Sequence, residues 1–133
     1  MTPDPSTSIQ TPHAPAAIGP YAQGRTGPLA GRWLVSSGQV GLDPASGQLV
    51  PGGIQAETRQ TMEIIKAGFA RYGVGMDRVV KCTVFLADMK EWAAMNEVYV
   101  TYFPAGKMPA RSALGASGLA LGARVEIECI AAL

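Results

Sequence analysis

Histidine is almost missing from this chain: one residue, His13, in 133. A Ser-His-Asp or Cys-His catalytic unit would have to rest on that single imidazole, which stands in the opening stretch MTPDPSTSIQTPHA. Cysteine is nearly as scarce. His13, Cys82 and Cys129 make three candidate N or S ligands, too few for the roughly four that a zinc site takes, so no metal site is expected. One disulfide could in principle join the two cysteines. Both lie in apolar alternating runs, VVKCTVFLA and VEIECIAAL, where cysteine behaves as a small buried hydrophobe. In a reducing compartment that context assigns them to the core rather than to redox chemistry.

Charge is sparse as well, at 16% of residues with a net of +1, and no basic run is present. That excludes the electrostatic footprint expected of a nucleic-acid binder. No apolar stretch reaches the ~18 residues of a membrane span, and the N-terminus lacks the basic start and apolar segment of a secretory signal. A cytoplasmic protein with no nucleic-acid and no membrane partner is the expectation. YGVGMD is not a GxGxxG loop, and no Walker-type glycine loop with GK[ST] occurs.

What remains is an apolar chain, 47% hydrophobic, of a length that supports a single core. Residues 1–14 are rich in Pro, Thr and Ser and have no apolar period, which predicts a flexible tail ahead of one domain at 15–133. GRWLVSSGQVGLD carries strand formers and ends in turn residues. From Ile54 to Tyr72, Ile54, Met62, Ile65, Phe69 and Tyr72 share one face of a helix, leaving Gln55, Glu57, Arg59, Glu63 and Lys66 for solvent. Gly73 and Gly75 end it.

A strand follows in DRVVKCTVFLAD, with Val80, Cys82, Val84 and Leu86 on one face and Val79, Lys81, Thr83 and Phe85 on the other. Asp88 and Glu91 have capping-box spacing, and Trp92, Met95, Tyr99, Tyr102 and Phe103 give a second helix its apolar stripe. ARSALGAS and ARVEIECIAAL close the chain as strands, the latter placing Glu126 and Glu128 side by side. The order β, helix, β, helix, β, β predicts two helices on one face of a sheet. The face bearing Phe85 is then left for another subunit.

The polar inventory is short: Tyr21 and Gln23 in AIGPYAQG, Ser37, Gly38 and Gln39 in SSGQ, Asn96, Arg111 with Ser112, and Glu126. Singly, each reads as a turn, cap or surface residue. In order along the chain, APAAIGPYAQG, VSSGQVGLDPASG, VVKCTVFLADM, MNEVYVTYF, PARSAL and GARVEIECIA closely resemble the RidA/YjgF family of reactive enamine/imine deaminases, over residues 14–132. The resemblance implies an α+β, chorismate-mutase-like fold, a mixed sheet with two helices on one face. It also implies a homotrimer with a central barrel and clefts between subunits. The implied reaction is hydrolysis of 2-enamine/2-imino acids, such as 2-iminopropionate or 2-iminobutyrate, to 2-oxo acids and ammonia, without a cofactor.

Residue by residue, it implies that Arg111 grips the substrate carboxylate and Glu126 orients or activates water. Tyr21, Ser37, Gly38 and Asn96 shape the cleft and bind substrate. Two positions depart from the family pattern: Ala113 stands where many members carry cysteine, which excludes thiol chemistry there, and Ala120 replaces a frequent proline. A non-catalytic, small-carboxylate-binding or chaperone-like trimer is the alternative.

Overall fold

The computed structural model describes residues 8–27 and 31–133. Helix α1, Gly53–Ala70, buries Ile54, Met62, Ile65 and Phe69 as the 3.6-residue period predicts. Two threonines join that buried face because their hydroxyls bond back down the helix: Thr58 donates to the Ile54 carbonyl and Thr61 to the Glu57 carbonyl, each at 2.7 Å. The helix stops at Gly73, φ 72°. There the Gly73 and Val74 N–H groups bond to the Ala70 and Phe69 carbonyls at 3.0 and 3.1 Å, the paired bonds of a Schellman turn. Tyr72, expected on the buried stripe, lies where this turn unwinds the helix and is 65% exposed.

Glu57 departs from expectation in the other direction. Read as a solvent residue, it is buried. Its carboxylate accepts the Arg124 backbone N–H at 2.9 Å and faces the Arg124 guanidinium at 3.9 Å. Burying a carboxylate is tolerable only with such partners, and the bonds tie α1 to the start of the last strand.

Strand β4, Val79–Leu86, and strand β6, Val125–Ala132, form the antiparallel centre of a four-stranded sheet. Strand β3, Trp33–Val35, flanks β6 antiparallel, and strand β5, Ala110–Gly115, runs parallel to β4. The sheet order is β3-β6-β4-β5, a mixed sheet. The parallel pair requires a crossover, supplied by helix α2, Trp92–Tyr99. A register shift between Val79 and Lys81 bulges β4 at Val80. It reverses the expected phase at the strand's start, so Val79 rather than Val80 joins the core cluster with Cys82, Val84 and Leu86.

The capping box ahead of α2 is half formed. Asp88 accepts the Lys90 N–H at 2.9 Å, but Glu91 turns away to take both its oxygens to Arg124 at 3.0 Å. Ser8–Ile9 (β1), within the stretch read as a tail, pair antiparallel with Gly24–Arg25 (β2).

Both helices contribute to one core on one sheet face, where Val125, Ile127 and Cys129 of β6 are fully buried. The opposite face presents Val35 at 63% and Leu114 at 43% exposure, with Phe85, Ile130 and Glu126 half-buried beside them. The uncovered face anticipated around Phe85 is there.

Candidate functional site

Arg111 is the second residue of edge strand β5 and the register partner of buried Cys82, so its side chain leaves the sheet on the helix side. Helix α2 meets it with three residues at helical spacing, Trp92, Asn96 and Tyr99. The guanidinium donates to the Asn96 side-chain oxygen at 2.7 Å. Its carbon stands 4.9 Å from the Tyr99 ring centre, 6.0 Å from that of Trp92 and 5.7 Å from that of Tyr21, all within cation–π range. Burial pulls its pKa down, and Tyr99, Cys82 and Tyr21 act against that pull. The result is a cation held by π faces and one amide oxygen, with donors left for an anion.

Tyr21 reaches this place through backbone pairing. Ala22 bridges Ala110 in parallel fashion, donating to the Pro109 carbonyl at 3.1 Å. The Tyr21 hydroxyl accepts the Ile18 N–H at 3.1 Å, which closes the 18–21 turn. Gly19 lets that turn lie on Trp92, since a β-carbon there would sit 3.3 Å from the indole. Together Ile18, Tyr21, Met89, Trp92, Arg111 and Ala113 line a cavity of about 290 Å³. A larger cavity, about 860 Å³, runs along the Ser8–Ala17 segment, but no charged side chain lines it.

The other expected site residues are elsewhere. Glu126 pairs in register with Phe85 and therefore projects from the open face of the sheet. Gln39 exchanges backbone bonds with Ile127 at 2.8 and 3.0 Å, which brings Gly38 against the Glu126 side chain. A β-carbon on Gly38 would overlap the Glu126 carboxylate, lying 2.9 Å from its carboxyl carbon. Ser37 is exposed beside it. Thus the fold holds the expected residues in two separate groups: Tyr21, Asn96 and Arg111 on the helix side near β5, and Ser37, Gly38 and Glu126 on the open side near β3. One copy of the chain does not bring Arg111 and Glu126 together.

Ser112 and Gln23 serve the scaffold. Ser112 accepts from Lys81 Nζ at 3.1 Å, on the face opposite Arg111. The Gln23 carboxamide accepts the Thr11 N–H at 2.6 Å and donates to the carbonyls of Thr11, Ala14 and Pro15. The sequence places Trp92 and Tyr99 on the helix stripe and carries no signal for Met89 or Ile18. Only the shared i, i+4, i+7 face of Trp92, Asn96 and Tyr99 could have joined those two aromatics to the site.

Among the described residues no group of three or more His, Cys, Asp or Glu could hold a metal ion, and no helix is long and apolar enough to cross a membrane.

Comparison with known proteins places these features in a family. The mouse 2-iminobutanoate/2-iminopropanoate deaminase is 50% identical over 127 residues, covering 92% of this chain and 88% of its own. The crystal structure of RidA from an Antarctic Psychrobacter superposes with a TM-score of 0.73 at 38% identity, over 95% of this chain and 98% of that one. That of Escherichia coli TdcF with bound serine gives 0.71 at 34%, with 95% and 98% covered. A family profile described as endoribonuclease L-PSP matches residues 11–133, although the mammalian relatives at 44–50% identity are named as deaminases. With two helices, a mixed sheet and this extent of likeness, the chain belongs to the RidA/YjgF family.

Proposed function

We propose that this protein hydrolyses 2-imino acids of the 2-iminopropanoate and 2-iminobutanoate type to 2-oxo acids and ammonia. The observation that carries the reading is Arg111, a guanidinium boxed by three aromatic rings and Asn96 at the wall of a cavity of about 290 Å³. A carboxylate meeting it gains charge-assisted hydrogen bonds worth about 1.5–3 kcal/mol. The names of the deaminase relatives and the serine held by TdcF, itself a carboxylate ligand, point the same way.

Taken as two half-sites, these groups call for a second copy. In a homotrimer with clefts between subunits, the β5 side of one copy, carrying Tyr21, Asn96 and Arg111, faces the β3 side of its neighbour, carrying Ser37, Gly38 and Glu126. The exposed Val35 and Leu114 at the two ends of the sheet support such packing, and a central barrel of the three sheets would cover the open face.

The reaction then needs little machinery. A protonated imine is already electrophilic, so the protein's task is to hold the C=N carbon near water, a positioning effect. Arg111 fixes the carboxylate and Glu126 accepts a proton from the attacking water. Protonated Glu126 then returns that proton to the carbinolamine nitrogen and takes up the hydroxyl proton as the carbonyl forms and ammonia leaves. This chemistry calls for no cofactor.

A second reading is a carboxylate-binding trimer without useful turnover, favoured by the separation of Arg111 from Glu126 within one chain. Generating 2-iminopropanoate in situ with an amino-acid oxidase and following its decay separates the two. Wild type should accelerate the loss, and Arg111→Ala should raise KM about 10- to 100-fold. Binding of 2-oxobutyrate without accelerated imine loss would favour the second reading. Undiminished acceleration by Arg111→Ala would remove Arg111 from its role.

A further inference from the structure

The two cysteines occupy directly opposed positions on the two central strands, Cys82 on β4 and Cys129 on β6. Their sulfurs are 2.9 Å apart, and both side chains are fully buried. The Cys129 N–H is bonded to the Ser36 hydroxyl and its carbonyl to the Ser36 N–H, both at 2.9 Å. Both main-chain groups thus point to the β3 side, which makes Cys82 and Cys129 a non-hydrogen-bonded pair across the β4–β6 ladder. Such pairs have α-carbons about 4.5 Å apart, at the short end of the disulfide range of about 4.4–6.8 Å. The positions therefore admit a disulfide without moving the strands apart or together.

What lies against the thiols gives the bond a consequence. Cys82 is the β5 register partner of Arg111. The Tyr99 ring fills the space under the guanidinium at 4.9 Å. Its hydroxyl is buried and has no hydrogen-bond partner among the described residues, and burial first, then the two thiols, raise its pKa. Dithiol, phenol and guanidinium form one continuous stack ending at the substrate cavity.

We propose that Cys82 and Cys129 form a reversible redox-modification site, closing to a cross-strand disulfide under hydrogen peroxide and thereby weakening the grip of Arg111 on a carboxylate. One sulfur attacks a peroxide oxygen, giving a sulfenic acid and water. The second sulfur displaces the hydroxyl, and a second water leaves. Two thiols are oxidised to one disulfide while one peroxide is reduced to two waters. The 2.9 Å contact lets this second step precede further oxidation. Closure draws the sulfurs together by somewhat under about 1 Å, takes Cys82 away from Tyr99 and disturbs the seat of Arg111. The effect on the grip rests on the deaminase reading above; formation of the disulfide does not.

The test treats the full-length protein with hydrogen peroxide, quenches it, and reads intact mass, thiol content after unfolding, and imine-decay kinetics. Support is a mass lower by two hydrogens, loss of both thiols, a peptide linking Cys82 to Cys129, and a KM raised roughly tenfold with kcat little changed. Dithiothreitol should reverse all of these, and neither Cys82→Ala nor Cys129→Ala should show the KM change. Two free thiols after treatment, oxygen adducts on methionine alone, or a disulfide between chains would overturn the proposal. A linked pair with unchanged KM would overturn the coupling to Arg111. If the untreated protein lacks deaminase activity, that reading fails while the mass and thiol counts still decide the disulfide.

Discussion

Gly38→Ala isolates the placement of Glu126 from nearly everything else in the molecule. The new β-carbon would lie 2.9 Å from the Glu126 carboxyl carbon and 3.1 Å from its γ-carbon, where carbon atoms prefer about 3.5–4.0 Å. Glu126 must therefore shift by about 0.6–1 Å. A misplacement of about 1 Å costs on the order of a hundredfold in rate, so kcat/KM for 2-iminopropanoate should fall by about that factor. Stability should hardly change. Glu126 is half-exposed on the open sheet face and can swing outward, and replacing glycine by alanine reduces unfolded-chain entropy by about 0.4–1 kcal/mol. The assay pairs imine-decay kinetics with urea unfolding, and adds Gly38→Ala/Glu126→Gln. If the glycine acts through the carboxylate, the double variant should be no slower than Glu126→Gln alone. Wild-type kcat/KM in Gly38→Ala, or additive losses in the double variant, would refute the argument.

Two further predictions concern stability. Burial pushes the Tyr99 phenol well up and Tyr102 up to about 12, and hydrogen bonding to Cys82 raises the Cys129 thiol. Above pH about 9 the unfolded chain releases protons that the native state retains, so stability should fall as pH rises toward about 12. The urea midpoint should drop from neutral pH to about 10.5, less so in Tyr99→Phe; a flat midpoint would contradict this. Glu57→Ala should cost about 1–3 kcal/mol, because the Arg124 N–H loses its buried acceptor, and Glu91→Ala clearly less, because that pair is solvent-screened. Equal losses in urea unfolding would contradict that ranking.

Much of the fold was legible because its signals are local. The α1 stripe follows from Ile54, Met62, Ile65 and Phe69, and its end follows from Gly73. The alternation of Val125, Ile127 and Cys129 with Glu126 and Glu128 carries the faces of β6. What escaped depends on partners distant in sequence. Glu57 reads as a surface acid until Arg124, the residue just ahead of β6, reaches it. The bulge at Val80 exists only in the pairing of β4 with β6. Glu91 leaves its capping box because a guanidinium offers more than a backbone N–H.

The candidate site divides in the same way. Arg111, Asn96 and Tyr21 converge through the Ala22–Ala110 bridge and the α2 crossover, neither of which is written locally. Trp92 and Tyr99 carry helical spacing that serves a core and a cation box equally well. That Arg111 and Glu126 emerge from opposite faces of the sheet follows only from strand order and register.

That separation makes subunit complementation the most direct test of a composite catalytic site. Arg111→Ala and Glu126→Gln, each strongly impaired alone at substrate concentrations below KM, are unfolded together in equal amounts and refolded as the mixed trimers that the proposed assembly requires. If every cleft takes Arg111 from one copy and Glu126 from its neighbour, about one quarter of the clefts regain both residues. The account then predicts roughly a quarter of wild-type imine hydrolysis from the mixture. Mixed oligomers, verified by mass, that remain as slow as either parent would contradict it.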